Sequence, residues 1–145
     1  MPNYILSVLQ NKCPRCRTGK IFKTNNAYDF KNHLKMEKDC PVCGQPTEIE
    51  VGFYYGSSYI SYAFTIGISA ITFVAWWLTL GFSIYDNRIF YWLAANALLL
   101  FAVQPYLMRV SRTGWLAVFV RYDNNWLANK PVKPERTNKD QERNW

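Results

Sequence analysis

Charged side chains are missing from two long stretches of this chain, and the apolar pattern inside them predicts the main elements. No charge stands between Glu50 and Asp86, a gap of 35 residues, or between Arg88 and Arg109, a gap of 20. A helix needs about 20 mostly apolar residues to cross the hydrocarbon core of a bilayer. Both gaps are long enough. Within SSYISYAFTIGISAITFVAWWLTL the apolar residues lie all round the helix rather than on one stripe, which suits a buried or lipid-facing helix. The expected spans are residues 57–81 and 89–109, joined by the short GFSIYDNR hairpin. Together with Glu50-proximal residues they make a transmembrane unit over 51–110.

Aromatic residues gather near the span ends: Tyr54, Tyr55 and Tyr59, then Trp76 and Trp77, with Trp92 and Tyr106 bracketing the second span. Such rings favour the headgroup level. Lys and Arg set the orientation. Eight precede the first span, one lies in the connecting loop and eight follow the second. Positive residues stay cytoplasmic, so both termini are expected in the cytoplasm, with the lipid bilayer as first partner.

Polar positions inside the second span refine the hairpin. Counting inward from the loop at equal rise brings Asn96 to the depth of Thr72, and Gln104 to that of Thr65. Polar groups in hydrocarbon turn toward protein, so these pairs lock the two helices or line a groove for a ligand or partner helix. Ala63 and Gly67, four apart, permit close helix approach. Pro105 should free the carbonyl of Phe101. Beyond it, RVSRTGWLAVFVR places Arg109 and Arg112 on one helix face, suited to lipid phosphates. Residues 111–122 read as an interfacial helix continuing the second span, or as a segment packing on the N-terminal module. From 123 to 145 the chain is charged, with two prolines and little apolar content, and is expected to be a disordered basic tail.

The N-terminal 1–50 region is polar and carries all four cysteines. Their spacing is Cys13-x2-Cys16, then 23 residues, then Cys40-x2-Cys43. Four thiolates at tetrahedral corners suit a closed structural Zn2+ site, and the intervening length permits a zinc-ribbon-like hairpin. Pro14, Gly19, Pro41 and Gly44 favour the tight turns that aim amides at the sulfurs. A rubredoxin-like iron site is the alternative metal, although Arg17 stands where its first knuckle usually has Gly. Disulfides conflict with a cytoplasmic location. Thioredoxin-type chemistry needs one pair on a βαβ pattern, which is lacking. His33, the single histidine, reads as an exposed residue between the knuckles. Residues 1–12 lack the basic start, apolar run and cleavage pattern of a secretory signal, and Tyr4–Leu9 reads as a short helix.

These readings favour certain function classes. No nucleophile–base pair, phosphate-cradling glycine loop or carboxylate cluster is visible, so a non-enzymatic role is expected. Lys12, Arg15, Arg17, Lys20 and Lys23 with Phe22 suggest nucleic acid. The positive-inside rule and anionic lipids require the same charges, which makes nucleic acid the weaker partner.

CPRCRTGKIF, CPVCG, GFYYGSSYISYAF and MRVSRTGWL, in that order over residues about 10–122, resemble the bacterial membrane family catalogued as domain of unknown function family 983. The resemblance, nearest to its Bacteroidetes members, implies a small inner-membrane protein with a cytoplasmic zinc-ribbon-like module. It also implies an accessory role near haem-copper oxidase assembly. The closed cysteine site and short anchor suggest a membrane-protein partner, and the polar groups within the two short spans a homo-oligomer. The sequence itself holds no haem or copper ligand set.

Overall fold

The computed structural model describes residues 3–81 and 86–131. Three α-helices occur among them: α1 (Tyr4–Leu9), α2 (Ser57–Leu80) and α3 (Arg88–Phe119). One turn of 3₁₀ helix, Phe53–Gly56, leads into α2. The protein is mostly helical, with the four cysteines clustered in the irregular chain between α1 and that turn.

The two long helices form an antiparallel hairpin. Each is long and apolar enough to cross a membrane. α3 is rich in the strong helix formers Leu and Ala, with Pro105 as its one interior proline, whereas α2 relies on its uninterrupted apolar character. Arg88 closes the hairpin by donating to the Leu80 carbonyl and pairing with Asp86 at 3.2 Å. Residues 82–85 of the expected loop lie outside the described residues. Large apolar side chains point outward along both helices: Leu78 is 77% exposed and Phe101 is 82% exposed.

The core sits at the other end, where the cysteine module packs on the C-terminal third of α3. Cys13, Cys16, Ile21, Phe22 and Cys40 join Phe53, Tyr54, Leu116 and Val120 in one buried cluster. Burying apolar surface contributes about 25 cal/mol per Å². The module's own apolar residues are few, so α3 provides much of its interior. Within the module the chain forms only isolated antiparallel bridges, at Lys12–Lys20, Phe22–Met36 and Asp39–Pro46.

Two expectations are corrected here. The second helix does not stop near 109 but continues without a break to Phe119. Residues 111–119 thus continue the second helix, and of the two surroundings expected for them it is the N-terminal module that they meet. Leu116 and Val120 are buried in one cluster with the cysteines, and Val110, Ser111, Thr113 and Ala117 are buried as well. The second correction concerns the segment after 123. Residues 123–129 form hydrogen-bonded turns docked on the module rather than a solvated tail. The remainder of that expected tail, residues 132–145, lies outside the described residues.

Candidate metal centre

Two turns of matching backbone carry the cysteines. In the first, Arg17 N–H donates to the Cys13 carbonyl at 2.7 Å, and Cys13 N–H donates to Gly19 at 2.8 Å. In the second, Gly44 N–H donates to the Cys40 carbonyl at 2.9 Å, and Cys40 N–H donates to Gln45 at 2.8 Å. Each turn needs a left-handed residue just after its second cysteine. Gly44 takes φ +65°, and Arg17 takes φ +57° in the same place. The departure from glycine at Arg17 thus leaves the knuckle's backbone unchanged. Stacking holds the strained residue, since its guanidinium lies 4.1 Å from the Tyr122 ring centre and 5.6 Å from that of Tyr4.

The turns converge their sulfurs. Cys13 Sγ lies 3.7 Å from Cys43 Sγ, and Cys16 Sγ lies 3.8 Å from Cys40 Sγ. All four sulfurs fall within 4.8 Å of one another. A tetrahedral metal with bonds of about 2.3 Å to sulfur places its ligands about 3.8 Å apart. The cluster fits such an ion. The Gly19 N–H points at Cys16 Sγ from 3.4 Å, the kind of donor that stabilises a bound thiolate. Gly19 is also required sterically, because a Cβ there would collide with Cys40 Sγ.

Crowding divides the protons unevenly among the thiols. Cys13, which donates toward Cys40 and is buried, is held well above the ordinary thiol range. Cys40, receiving that hydrogen bond, is pushed down to about 5. Burial raises Cys43 to about 11. Four thiolates this close repel one another, and a divalent cation removes that repulsion.

Arginines lock the module to the rest of the chain. Arg15, inside the first cysteine pair, is buried, and its Nη2 donates to the Asn129 carbonyl at 2.6 Å. The same nitrogen lies 3.4 Å from Asp123, while Nη1 donates to the Cys43 carbonyl at 3.3 Å. Nothing in the sequence pattern singles out Arg15 for this role, since two of its partners, Asp123 and Asn129, lie over 100 positions away.

Arg109 corrects a further expectation, that it meets lipid phosphates. Arg109 is 2% exposed and directs its guanidinium inward. Nε donates to the His33 carbonyl at 2.7 Å, Nη1 to the Thr24 carbonyl at 2.9 Å, and Nη2 to Thr24 Oγ1 and the Asn26 carbonyl. The face of Phe22 covers it at 4.9 Å. Arg112 donates to the Leu34 carbonyl at 3.0 Å and lies over the Tyr54 ring. Both residues hold the loop between the knuckles. His33 contributes its carbonyl there and its ring nitrogen meets the Phe30 carbonyl, away from the sulfurs.

Inside the hairpin, Thr72 Oγ1 donates to Asn96 Oδ1 at 3.0 Å, and Asn96 Nδ2 donates to Ser69 Oγ at 3.1 Å. Ser69 was missed in the sequence, although it lies three residues before Thr72 on the same helix face. Thr65 donates to its own helix at the Tyr62 carbonyl. It borders one cavity together with Gln104. Tyr28 donates to the Ala102 carbonyl near Pro105, and Tyr106 donates to the Leu9 carbonyl of α1.

No curated protein and no solved structure matches the chain. A family model described as "Protein of unknown function (DUF983)" matches residues 30–119. That segment runs from the loop held by Arg109, through Cys40, Cys43 and both long helices, to the last residue of α3. More than half of the 145 residues are thus accounted for by one family pattern, and the chain belongs to the DUF983 family.

Proposed function

We propose that this is a bacterial inner-membrane protein in which a structural zinc site holds a small cytoplasmic module rigid at the membrane surface. The module serves as a non-catalytic docking platform for a membrane complex, with assembly of a respiratory oxidase as one such setting. The observation that carries this reading is the closed sulfur cluster. All four ligands come from one module, Cys13, Cys16 and Cys40 are buried, and a tetrahedral ion bound to them keeps no position for water or substrate. Bound zinc would add its binding energy to the folding of a module with few apolar residues.

Membrane embedding is supported by the outward apolar faces of α2 and α3, which no other part of the described chain covers. The Lys and Arg distribution favours both termini in the cytoplasm. Nucleic acid is disfavoured, because Arg15 is buried and Arg17 is stacked between two rings.

Iron is the second reading. It is favoured by the matched backbone of the two knuckles, including the left-handed Arg17, and by the amide aimed at Cys16 Sγ. A tetrathiolate iron protein would carry an electron rather than a docking partner, and would be coloured when purified. Crosslinking in native membranes followed by mass spectrometry tests the docking role. Recovery of a defined membrane-protein neighbour supports it, and a chain that crosslinks only to itself counts against it.

A further inference from the structure

A groove follows the seam between α2 and α3, and its character changes along its length. On α2 its lining recurs at every fourth residue, through Ser57, Ser61, Thr65, Ser69 and Phe73, which places these side chains along one helix face. Next to the cysteine module it is a cavity of about 380 Å³, walled on α3 by Gln104, Met108, Ser111 and Arg112. Thr65 also borders the continuation, a cavity of about 500 Å³ lined by Ile66, Val74, Trp92 and Leu100. The first part is rich in hydroxyls with one cation. The second is mainly apolar.

Ser111 is the independent pointer to a ligand. It is 1% exposed and lines the polar cavity, yet its Oγ has no hydrogen-bond partner among the described residues. Buried hydroxyls in folded proteins are nearly always bonded, so this one marks a docking point for a group from outside the chain. Arg112 fixes positive charge in the same wall, held there by the Leu34 carbonyl and the Tyr54 ring. Glu48 acts electrostatically on that guanidinium but is not part of the lining.

We propose that this groove binds one phospholipid, with its phosphate at Ser111, Gln104 and Arg112 and an acyl chain along the apolar part. The dimensions agree. From Thr65 to Phe73 the helix rises about 12 Å, close to the roughly 15 Å of hydrocarbon in one leaflet. Polar donors lie at the module end, where headgroups would be. The site rests on the membrane-embedded reading above.

The test uses the full chain, purified in detergent and delipidated, with phosphatidylglycerol added back and counted by native mass spectrometry. One lipid per chain is expected to survive on the wild type. Ser111→Ala and Gln104→Leu should each weaken retention, by about tenfold where a bond to the charged phosphate is lost. Ala70→Trp, which fills the apolar cavity, should abolish it. Bound metal reports folding in every variant, and should Ser111→Ala lose its metal, Gln104→Leu decides. Retention unchanged in Gln104→Leu and Ala70→Trp overturns the proposal. So does displacement of the lipid by millimolar inorganic phosphate together with indifference to Ala70→Trp, which would identify free phosphate as the ligand. Membrane fractionation is scored separately. A chain that stays in the membrane fraction yet retains no lipid counts against the groove alone, whereas a chain that leaves it counts against the embedding.

Discussion

Arg15 Nη2 and the carbonyl oxygen of Asn129 lie 2.6 Å apart, joining the first cysteine knuckle to a turn 114 residues later. The Asp123 N–H returns a bond to the Arg15 carbonyl at 3.2 Å. The segment after α3 is therefore strapped to the first cysteine knuckle rather than trailing from it. Replacing Arg15 with Met should remove about 1–3 kcal/mol of stability, since buried carbonyls lose a charged donor. Hydrogen exchange read by mass spectrometry should show residues 121–131 opening first. Asp123→Asn, which alters only the longer 3.4 Å contact of that guanidinium, should have a smaller effect.

Arg109 presents a sharper case, because one guanidinium satisfies four acceptors in the loop between the knuckles. Arg109→Leu should cost more than about 3 kcal/mol and expose residues 24–35 to protease. Arg109→Lys should recover only a minor part, because an ammonium cannot reproduce the fork. Denaturation midpoints in detergent measure both. Equal stability of Arg and Lys variants would instead fit a lipid-facing charge.

The contact between the two long helices is expected to be modest. A double-mutant cycle on Asn96→Leu and Thr72→Val, read by unfolding in detergent, should give a coupling of about 0.6 kcal/mol and not above about 1.7. Asn96→Leu alone should cost more than Thr72→Val, since it also abandons Ser69.

Metal affinity should depend steeply on pH. In the metal-free module Cys13 and Cys43 still hold protons at neutral pH, with Cys43 raised to about 11, while Cys40, lowered to about 5, has already lost its own. Binding then expels at least two protons, so affinity should fall about a hundredfold per pH unit on acidification. Without metal the signs separate. The raised Cys43 contributes stability that is present below the ordinary thiol value and lost as pH rises toward about 11. The lowered Cys40 contributes stability that is lost as pH falls through about 5. Competition with a chromophoric chelator between pH 6 and 8 checks the metal slope.

The charge-free gaps made the helical hairpin legible, because an uninterrupted apolar helix is a local property of the sequence. The cysteine spacing made the four-cysteine cluster legible for a similar reason. Helical counting put Asn96 opposite Thr72, and the two lie in hydrogen-bond contact. What periodicity could not supply was direction. RVSRTGWLAVFVR has basic ends and an apolar middle, and that pattern serves a membrane surface and a protein surface equally well. Arg109 and Arg112 meet backbone carbonyls, which carry no side-chain signature. Arg15 had the same ambiguity, with the added obstacle that its partners are remote in sequence.

Four cysteines are expected to close around one metal ion and order the module against α3. X-ray absorption at the metal edge, on the full chain purified with its metal, tests it most directly. One metal per chain with four sulfur neighbours at about 2.3 Å is the expected result. Nitrogen or oxygen in the ligand shell, or a metal-free chain whose module resists protease as well as the loaded one, would contradict it.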